Sequence, residues 1–235
     1  MSEPAVALAF FDPERDLSGT MRAGVAALFE GDRAWTLDEP PEIERDGEAW
    51  GVRCGDAVEL AFEARSPALD LGGATSRICR VRGRAAGGEV DCLGTAGETT
   101  DPPHWSELDA FRTISAVFDE EHAVVLAARR PRGAMGHGQE VVTAHLLTAG
   151  EPVAVEDARV STVYDADGRQ RSARLELWLP GEDFPRRASG VVTAGMSLSL
   201  ESLVVNLAVF TWQMEGREGR GGYEITVRDE PAEAA

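Results

Sequence analysis

Residues 160–179 read V-S-T-V-Y-D-A-D-G-R-Q-R-S-A-R-L-E-L-W-L, and this stretch decides the fold class. Side chains alternate with a period of two on both sides of the segment Asp165-Ala166-Asp167-Gly168. Such alternation is typical of β-strands, and Asp and Gly residues between two strands favour a tight turn. The stretch therefore predicts a β-hairpin.

The same pattern recurs along the whole chain, with short strands between turn residues. Residues 104–111 are the exception, because Pro102-Pro103 precedes them and Trp105, Leu108 and Phe111 share one helical face. They predict a single short helix. The strands are predicted at 5–11, 21–29, 33–37, 50–54, 58–64, 76–84, 89–93, 113–118, 123–128, 141–147, 158–164, 174–179, 190–194, 197–205, 207–214 and 223–228.

This pattern predicts an all-β, antiparallel protein with at most one or two short helices. Its 235 residues suffice for one large β domain or for two small barrels packed together. A loop of small and turn-forming residues at 94–103 marks a candidate boundary. We therefore predict one β domain over residues 1–100 and a second over residues 101–235.

The charge balance argues against two classes of partner. The chain has 41 acidic and 23 basic residues, all 23 of them Arg, and a formal net charge of −18. A surface this negative repels phosphate backbones and anionic lipid headgroups. We expect neither nucleic acid nor a membrane surface as a partner, and a homodimer is left open.

Cysteine usage and the distribution of apolar residues predict the compartment. Cys54, Cys79 and Cys92 are odd in number and match no zinc spacing, so reduced thiols are expected. The N-terminal residues lack the basic segment of a leader peptide, and residues 203–210 are far shorter than the ~20 residues of a membrane span. We expect a cytoplasmic protein that does not insert into membranes.

Known catalytic and cofactor signatures are missing from the sequence. The four histidines, His104, His122, His137 and His145, cluster in one stretch, but without the i,i+2 strand or i,i+4 helix spacing of metal ligands. No metal site is predicted. The glycine-rich segments 133–138 and 216–222 precede strands and not helices, so neither forms a phosphate loop. A G-x-S-x-G nucleophile elbow is absent as well.

Carboxylates and histidines within strands remain as acid–base candidates. A carboxylic acid enclosed by apolar side chains resists ionisation and can donate a proton to an alkene or a carbonyl group. Aromatic faces can stabilise the resulting positive charge. The candidates are Glu140, Glu176, Glu201, Glu215, Asp109, His137 and His145, with Trp105, Trp178, Trp212 and Tyr164 as aromatic wall.

Several segments together resemble a known superfamily. They are F-D-P-E-R-D-L-S-G-T-M-R-A-G near the start, G-G-E-V-D-C-L-G-T-A-G in the middle, F-R-T-I-S-A-V-F-D, Y-D-A-D-G-R, and M-E-G-R-E-G-R-G-G-Y-E near the end. They look like the tandem lipocalin-like superfamily of carotenoid hydratase, AttH-like proteins and natural-product cyclases. The resemblance implies two lipocalin-like barrels side by side, an apolar isoprenoid or polyketide-type ligand, and catalysis without a cofactor. Where many relatives carry a His-Ser-Trp-Gly-x-Arg-Asp segment, this chain has only His104 and Trp105.

Three hypotheses of function follow. The first is a cofactor-independent hydratase, cyclase or isomerase that transfers protons in an apolar cavity, with Glu140 and His137 as catalytic residues. Its ligand contacts would be His104, Trp105, Tyr164 and Trp212. The second is a non-catalytic carrier of a small lipophilic molecule, which would lack a convergent buried carboxyl group or histidine. The third is a protein-interaction module with an exposed apolar sheet face.

Overall fold

The computed structural model describes residues 4–135 and 139–228. These residues form two curled antiparallel sheets, each a half-barrel, which pack side by side. The all-β prediction is confirmed. We call the sheet formed by β1–β10 the first barrel and the sheet formed by β11–β19 the second barrel.

The first barrel consists of ten strands in one sheet. Their order is β4-β3-β2-β1-β10-β9-β7-β6-β5, and β8 pairs with β9 beside this path. The strands are β1 Ala5–Asp12, β2 Leu17–Arg22, β3 Val25–Glu30, β4 Arg33–Thr36, β5 Glu42–Asp46, β6 Ala49–Cys54, β7 Val58–Ala64, β8 Leu69–Asp70, β9 Ala74–Ala85 and β10 Gly88–Thr99.

The second barrel repeats this topology with nine strands. Their order is β14-β13-β12-β11-β19-β18-β17-β16-β15, so β11 and β19 correspond to β1 and β10. The strands are β11 Leu108–Val117, β12 Ala123–Pro131, β13 Val141–Thr148, β14 Glu151–Ala154, β15 Asp157–Tyr164, β16 Gln170–Trp178, β17 Arg186–Leu200, β18 Leu203–Met214 and β19 Arg217–Arg228.

The hairpin predicted at residues 160–179 is confirmed as β15 and β16. Its turn is held by Asp165, whose Oδ1 accepts hydrogen bonds from the backbone N–H groups of Asp167 and Arg169, both at 2.9 Å. The backbone N–H of Asp165 also donates to the Arg169 carbonyl at 2.9 Å. An Asp at the first turn position closes the loop on itself in this way.

Several local predictions are wrong. The helix expected at residues 104–111 is absent, because β11 begins at Leu108 and buries alternate side chains; no part of the chain that the structure describes is α-helical. The strand expected at 21–29 is two strands, since Gly24 turns the chain at φ +76°. The strand expected at 197–205 contains a turn, since β17 ends at Leu200, Glu201 has a φ of +54° and β18 begins at Leu203. The glycine-rich segment 216–222, expected to precede a strand, already belongs to β19 from Arg217 onwards, and Gly221 is needed there because a Cβ would lie 1.8 Å from the Ser115 carbonyl oxygen.

Three apolar clusters hold these sheets together. One fills the first barrel, with Phe10, Trp50 and Phe62 fully buried. A second fills the second barrel around Phe210 and Trp212, whose rings stack with their centroids 5.3 Å apart. The third lies between the barrels and joins the outer faces of the two sheets. The barrel interiors are thus occupied by large side chains.

None of the described segments forms a helix with the length and apolar character that a bilayer crossing requires.

Candidate functional site

A cavity of about 180 Å³ lies between the two barrels. Its walls come from the corresponding central strands of both sheets, β1, β9 and β10 on one side and β11, β18 and β19 on the other, with β2, β3 and β12 at the margins. The repeated topology therefore builds the cavity from two equivalent halves. We call it the inter-barrel cavity.

Strand alternation decides which side chains face this cavity. On β1, Leu8 belongs to the first barrel's interior while Ala9 packs in the cluster between the barrels. On β12, Leu126 lies inside the second barrel and its neighbour Ala127 faces the first. Successive residues of a strand point to opposite faces of the sheet. In each wall strand, one set of alternate residues therefore faces the barrel interior and the other set faces the space between the barrels.

The residues that line the cavity are predominantly small. Where two sheets face each other with Ala, Ser, Thr and Gly residues, space remains between them that larger side chains would fill. The larger contributors are Phe29, Phe111, Leu207 and Val209. The small ones on the facing sides include Ala7, Ala9, Thr20, Ala74, Ser76, Thr95, Gly97, Thr99, Thr113, Ser115, Ala127 and Gly222.

One carboxylate faces the cavity from the second barrel. Glu224 lines it, and its Oε1 accepts a hydrogen bond of 2.7 Å from Arg22 Nη1 across the barrel boundary and one of 3.1 Å from Thr226 Oγ1. Both ion-pair side chains are 23% exposed. The other lining carboxylate, Glu98, belongs to an interior position of β10 and pairs with Arg45 and Arg77 of the first barrel.

Polar contacts between the barrels fix the two walls relative to each other. The Arg129 guanidinium donates to the carbonyl oxygens of Leu71 and Gly72 and lies over the Phe111 ring, 5.4 Å from its centroid. His145 Nε2 lies 2.7 Å from the Asp70 carbonyl oxygen. Since a ligand site needs walls of fixed separation, these contacts preorganise the cavity.

A second polar cluster lies inside the second barrel. Arg112 Nη2 is 2.9 Å from Glu140 Oε1, with side chains only 4% and 3% exposed. The Tyr223 hydroxyl shares a hydrogen bond of 2.6 Å with Thr162. Burial raises the pKa of the Tyr223 phenol, and the Arg112 charge and the Thr162 hydrogen bond offset part of this rise. The phenol is therefore a neutral donor.

The predicted site residues fall in several places. Glu140 is in the buried pair with Arg112, and Tyr164, 37% exposed, lies close enough to act electrostatically on Tyr223. Trp212 is fully buried in the second barrel, His104 is exposed and Trp105 half-buried before β11. His137 lies outside the described residues. None of the five described residues lines the inter-barrel cavity, so their proposed roles stay predictions.

Sequence reasoning missed Arg22 and Glu224. These residues are 202 positions apart, and no sequence motif indicates that their side chains meet. Arg22 lies inside the quoted segment F-D-P-E-R-D-L-S-G-T-M-R-A-G and Glu224 at the end of M-E-G-R-E-G-R-G-G-Y-E. The one sequence feature that the two residues share is a charged side chain that alternates with small residues, as with Thr20 before Arg22 and Gly222 before Glu224.

Metal ligands do not converge in the described residues, which contain no group of three or more His, Cys, Asp or Glu side chains arranged to hold an ion. Cys54, Cys79 and Cys92 are buried and free. What this structure offers a ligand is a partly open, mainly apolar space lined by two ion-paired carboxylates, Glu98 and Glu224.

Comparison with known proteins identifies the fold. No protein-family model matches the sequence, and no curated protein matches it. A structure from Nitrosomonas europaea described as an AttH (NE1406) matches with a TM-score of 0.64 and 15% identity, over 96% of this chain and 93% of that one. Kievitone hydratase from Nectria haematococca matches with a TM-score of 0.58 and 9% identity, over 96% and 88%. The chain shares the tandem lipocalin-like barrel fold of these two proteins.

Proposed function

We propose that this protein binds a small apolar molecule in the inter-barrel cavity. The observation that carries the proposal is the cavity itself, which separates two otherwise well-packed interiors. Apolar walls with a few convergent polar groups are typical of small-molecule sites. An isoprenoid or polyketide-type metabolite, the class that the fold resemblance implies, is the ligand we propose.

The size of the cavity limits what it can enclose. A dry apolar cavity of ~150 Å³ holds one benzene ring, whereas pockets for drug-sized ligands measure roughly 300–1,000 Å³. A volume of about 180 Å³ therefore fits a single ring or one short branched segment. A longer ligand would leave the rest of its chain outside the cavity.

Binding can be tested with a one-ring probe. α-Methylstyrene should protect the protein against thermal unfolding, and Ala127→Leu should abolish the protection because the new side chain occupies the cavity. Ala61→Leu, at an exposed position of β7, is the matched control and should retain it. If the probe gives no shift with the unmodified protein, or if both variants behave alike, binding in this cavity is disproved.

A second candidate is catalysis by proton transfer without a cofactor. Two observations favour it, namely the Glu224 carboxylate at the cavity and the shared fold with a hydratase. A carboxylate that is paired with a guanidinium can accept a proton, so Glu224 suits proton abstraction better than protonation of an alkene. In a hydration, Glu224 would take a proton from water as the oxygen attacks the β-carbon of an activated alkene, and return it to the α-carbon.

This candidate has its own assay. The enone 4-phenylbut-3-en-2-one loses its ultraviolet absorbance when water adds across the double bond, so turnover can be followed directly. We expect the unmodified protein to accelerate the loss and Glu224→Gln to abolish the acceleration. Glu218→Gln, on an exposed position of the same strand, is the control. Equal rates with and without protein would reject hydration and leave ligand binding standing.

A further inference from the structure

Glu224 has one carboxylate oxygen that the protein does not use. Its Oε1 accepts hydrogen bonds from Arg22 and Thr226, whereas its Oε2 has no hydrogen-bond partner within residues 4–135 and 139–228. Glu224 lines the inter-barrel cavity, and Oε2 is not one of the polar atoms that the fold seals from solvent. A free and accessible acceptor therefore belongs to the wall of the cavity.

The geometry of β19 directs Glu224 towards the first barrel. Its neighbour Tyr223 lies in the interior of the second barrel, and successive strand residues point to opposite faces. Gly222, on the same face as Glu224, also lines the cavity, and a Cβ there would lie 3.7 Å from the Phe11 ring of the first barrel. The ion pair with Arg22 at 2.7 Å then holds the carboxylate in place.

Thr113 provides a second polar group at the same point of the wall. It lines the cavity and lies directly opposite Glu224 in the pairing of β11 with β19. The Cβ atoms of such a cross-strand pair are about 4.5–5.5 Å apart, so the two side chains are neighbours. The Thr113 hydroxyl has no hydrogen-bond partner in the described part of the chain. It is a donor for an oxygen that is bound to Glu224.

The charges around the cavity decide which chemical group this acceptor takes. Arg22 balances the charge of Glu224, and Arg45 lies at the same distance, 2.7 Å, from the other lining carboxylate, Glu98. A cationic ligand would lose its hydration in a mainly apolar space without meeting an unbalanced anion. A carbonyl oxygen has no proton to offer Oε2. A neutral hydroxyl donates to this atom in a charge-assisted hydrogen bond.

We infer that the ligand of the inter-barrel cavity is an apolar molecule that carries one neutral hydroxyl group, and that Glu224 recognises this hydroxyl through Oε2. The inference rests on the proposed binding function and narrows its ligand class. Glu224 then determines specificity, and Thr113 completes the polar contact. The apolar contacts come from Phe29, Phe111 and Leu207.

A set of one-ring probes of nearly equal size isolates the hydroxyl group. Ethylbenzene is the apolar reference, and benzyl alcohol has a hydroxyl in place of its terminal methyl group. Anisole has an ether oxygen that accepts but cannot donate, and benzylammonium carries a positive charge. Calorimetry measures the affinity of each probe for the unmodified protein and for Glu224→Gln. Gln keeps a carbonyl oxygen for the bond from Arg22 and has an amide N–H₂ group in place of the second carboxylate oxygen.

The control variant makes the same exchange in another ion pair between the barrels. Arg220 Nη2 lies 3.2 Å from Asp16 Oδ1, and neither residue lines the cavity. Asp16→Asn therefore reports the effect of removing an inter-barrel carboxylate alone. Asn tolerates the positive φ of 49° at position 16.

We expect the ratio of benzyl alcohol to ethylbenzene affinity to fall at least about tenfold in Glu224→Gln, the typical net effect of a hydrogen bond to a charged group. Asp16→Asn should keep this ratio. The ratio of anisole to ethylbenzene affinity should not fall in either variant, because anisole has no proton to donate. Benzylammonium should bind the unmodified protein more weakly than benzyl alcohol.

The outcomes separate the inference from the proposed function. An unchanged benzyl alcohol ratio in Glu224→Gln, an equal fall for anisole, or tighter binding of benzylammonium overturns the hydroxyl inference and leaves the cavity as a binding site. Failure of all the probes to bind the unmodified protein overturns the proposed function itself.

A crystal structure of the unmodified protein with benzyl alcohol serves if Glu224→Gln does not fold. The alcohol oxygen should lie about 2.5–2.7 Å from Glu224 Oε2, the usual length of a hydrogen bond between a hydroxyl and a carboxylate. An alcohol oxygen beyond hydrogen-bond distance from this atom overturns the inference.

Discussion

The barrel interiors and the space between the barrels are built from the same strands, yet they pack differently. Inside, alternate residues are large, as with Phe10 on β1 and Phe210 on β18, and they fill the space. On the opposite face, β1 carries Ala7 and Ala9 and its counterpart β11 carries Thr113 and Ser115, and a cavity remains. Side-chain size on each strand face therefore decides whether the space in this fold lies inside the barrels or between them.

The two faces also differ in how they treat charge. The interiors enclose ion pairs with little exposure, Arg112 with Glu140 and Arg77 with Glu98. The Arg22–Glu224 pair between the barrels is partly exposed at the edge of a space large enough for a guest. The interior pairs therefore act on stability, whereas only Glu224 of the pair between the barrels faces the cavity.

The largest expected effect compares two phenylalanines. Phe210→Ala should lower the free energy of unfolding by about 3–5 kcal/mol, because it empties a fully packed interior. Phe111→Ala should cost about half as much, since Phe111 is half-buried and already borders a cavity. Urea unfolding of both variants measures the difference. Equal losses would mean that the two environments are packed alike.

Glu140→Gln tests the buried pair of the second barrel. It leaves the Arg112 guanidinium charged and uncompensated, which typically costs on the order of 3 kcal/mol. The double variant Arg112→Met/Glu140→Leu removes both charges and should be markedly more stable than the single variant by the same urea measurement. A double variant as unstable as the single one would contradict this account of the pair.

The dry interior of the first barrel predicts a dependence on alkaline pH. Burial raises the pKa of Cys79 and of Cys92 from 9.0 to about 12. The fold favours the neutral thiols, so their contribution is complete below pH 9 and is lost as the pH rises towards 12. At pH 10.5 we expect a loss on the order of 2 kcal/mol per thiol relative to pH 8. Cys79→Ala/Cys92→Ala should show a flatter pH profile in urea unfolding; an equally steep one would refute the prediction.

The smallest effect comes from two neighbouring alanines on β12. Ala128 points into the second barrel, so Ala128→Leu should overpack it and cost about 1–3 kcal/mol. Ala127 lines the cavity, so Ala127→Leu should change stability by less than about 0.5 kcal/mol or raise it slightly. Thermal unfolding of the two variants measures this difference in stability. If Ala127→Leu were the less stable variant, the free space would lie inside the barrel and not between the barrels.

The strands were predictable because their signals are local. The alternation in residues 160–179 and the capacity of Asp165 to close a turn depend on near neighbours, and β15 and β16 form as expected. The helix predicted at 104–111 failed because the i,i+3 spacing of Trp105, Leu108 and Phe111 competed with a strand alternation that tertiary packing favoured. Similarly, Gly221 on its own is typical of a loop. Only the structure shows that it lies within a strand, where the neighbouring Ser115 backbone leaves no room for a Cβ.

The cavity could not be predicted from the sequence. It forms where the outer faces of two sheets meet, and its charged pair joins residues 202 positions apart. Alternation assigns a residue to one of two faces of a strand, but it does not say which face meets the other barrel. This is why His104, Trp105, Tyr164 and Trp212, which were named from the sequence, do not line the space that the fold leaves open.

A crystal structure of the protein soaked with bromobenzene tests whether an apolar ring binds between the barrels, because the anomalous signal of bromine locates the ring without prior assumption. We expect one bromine between the barrels, in contact with Ala9, Thr113 or Leu207. Bromine inside either barrel, or nowhere between the sheets at full soaking, would contradict it.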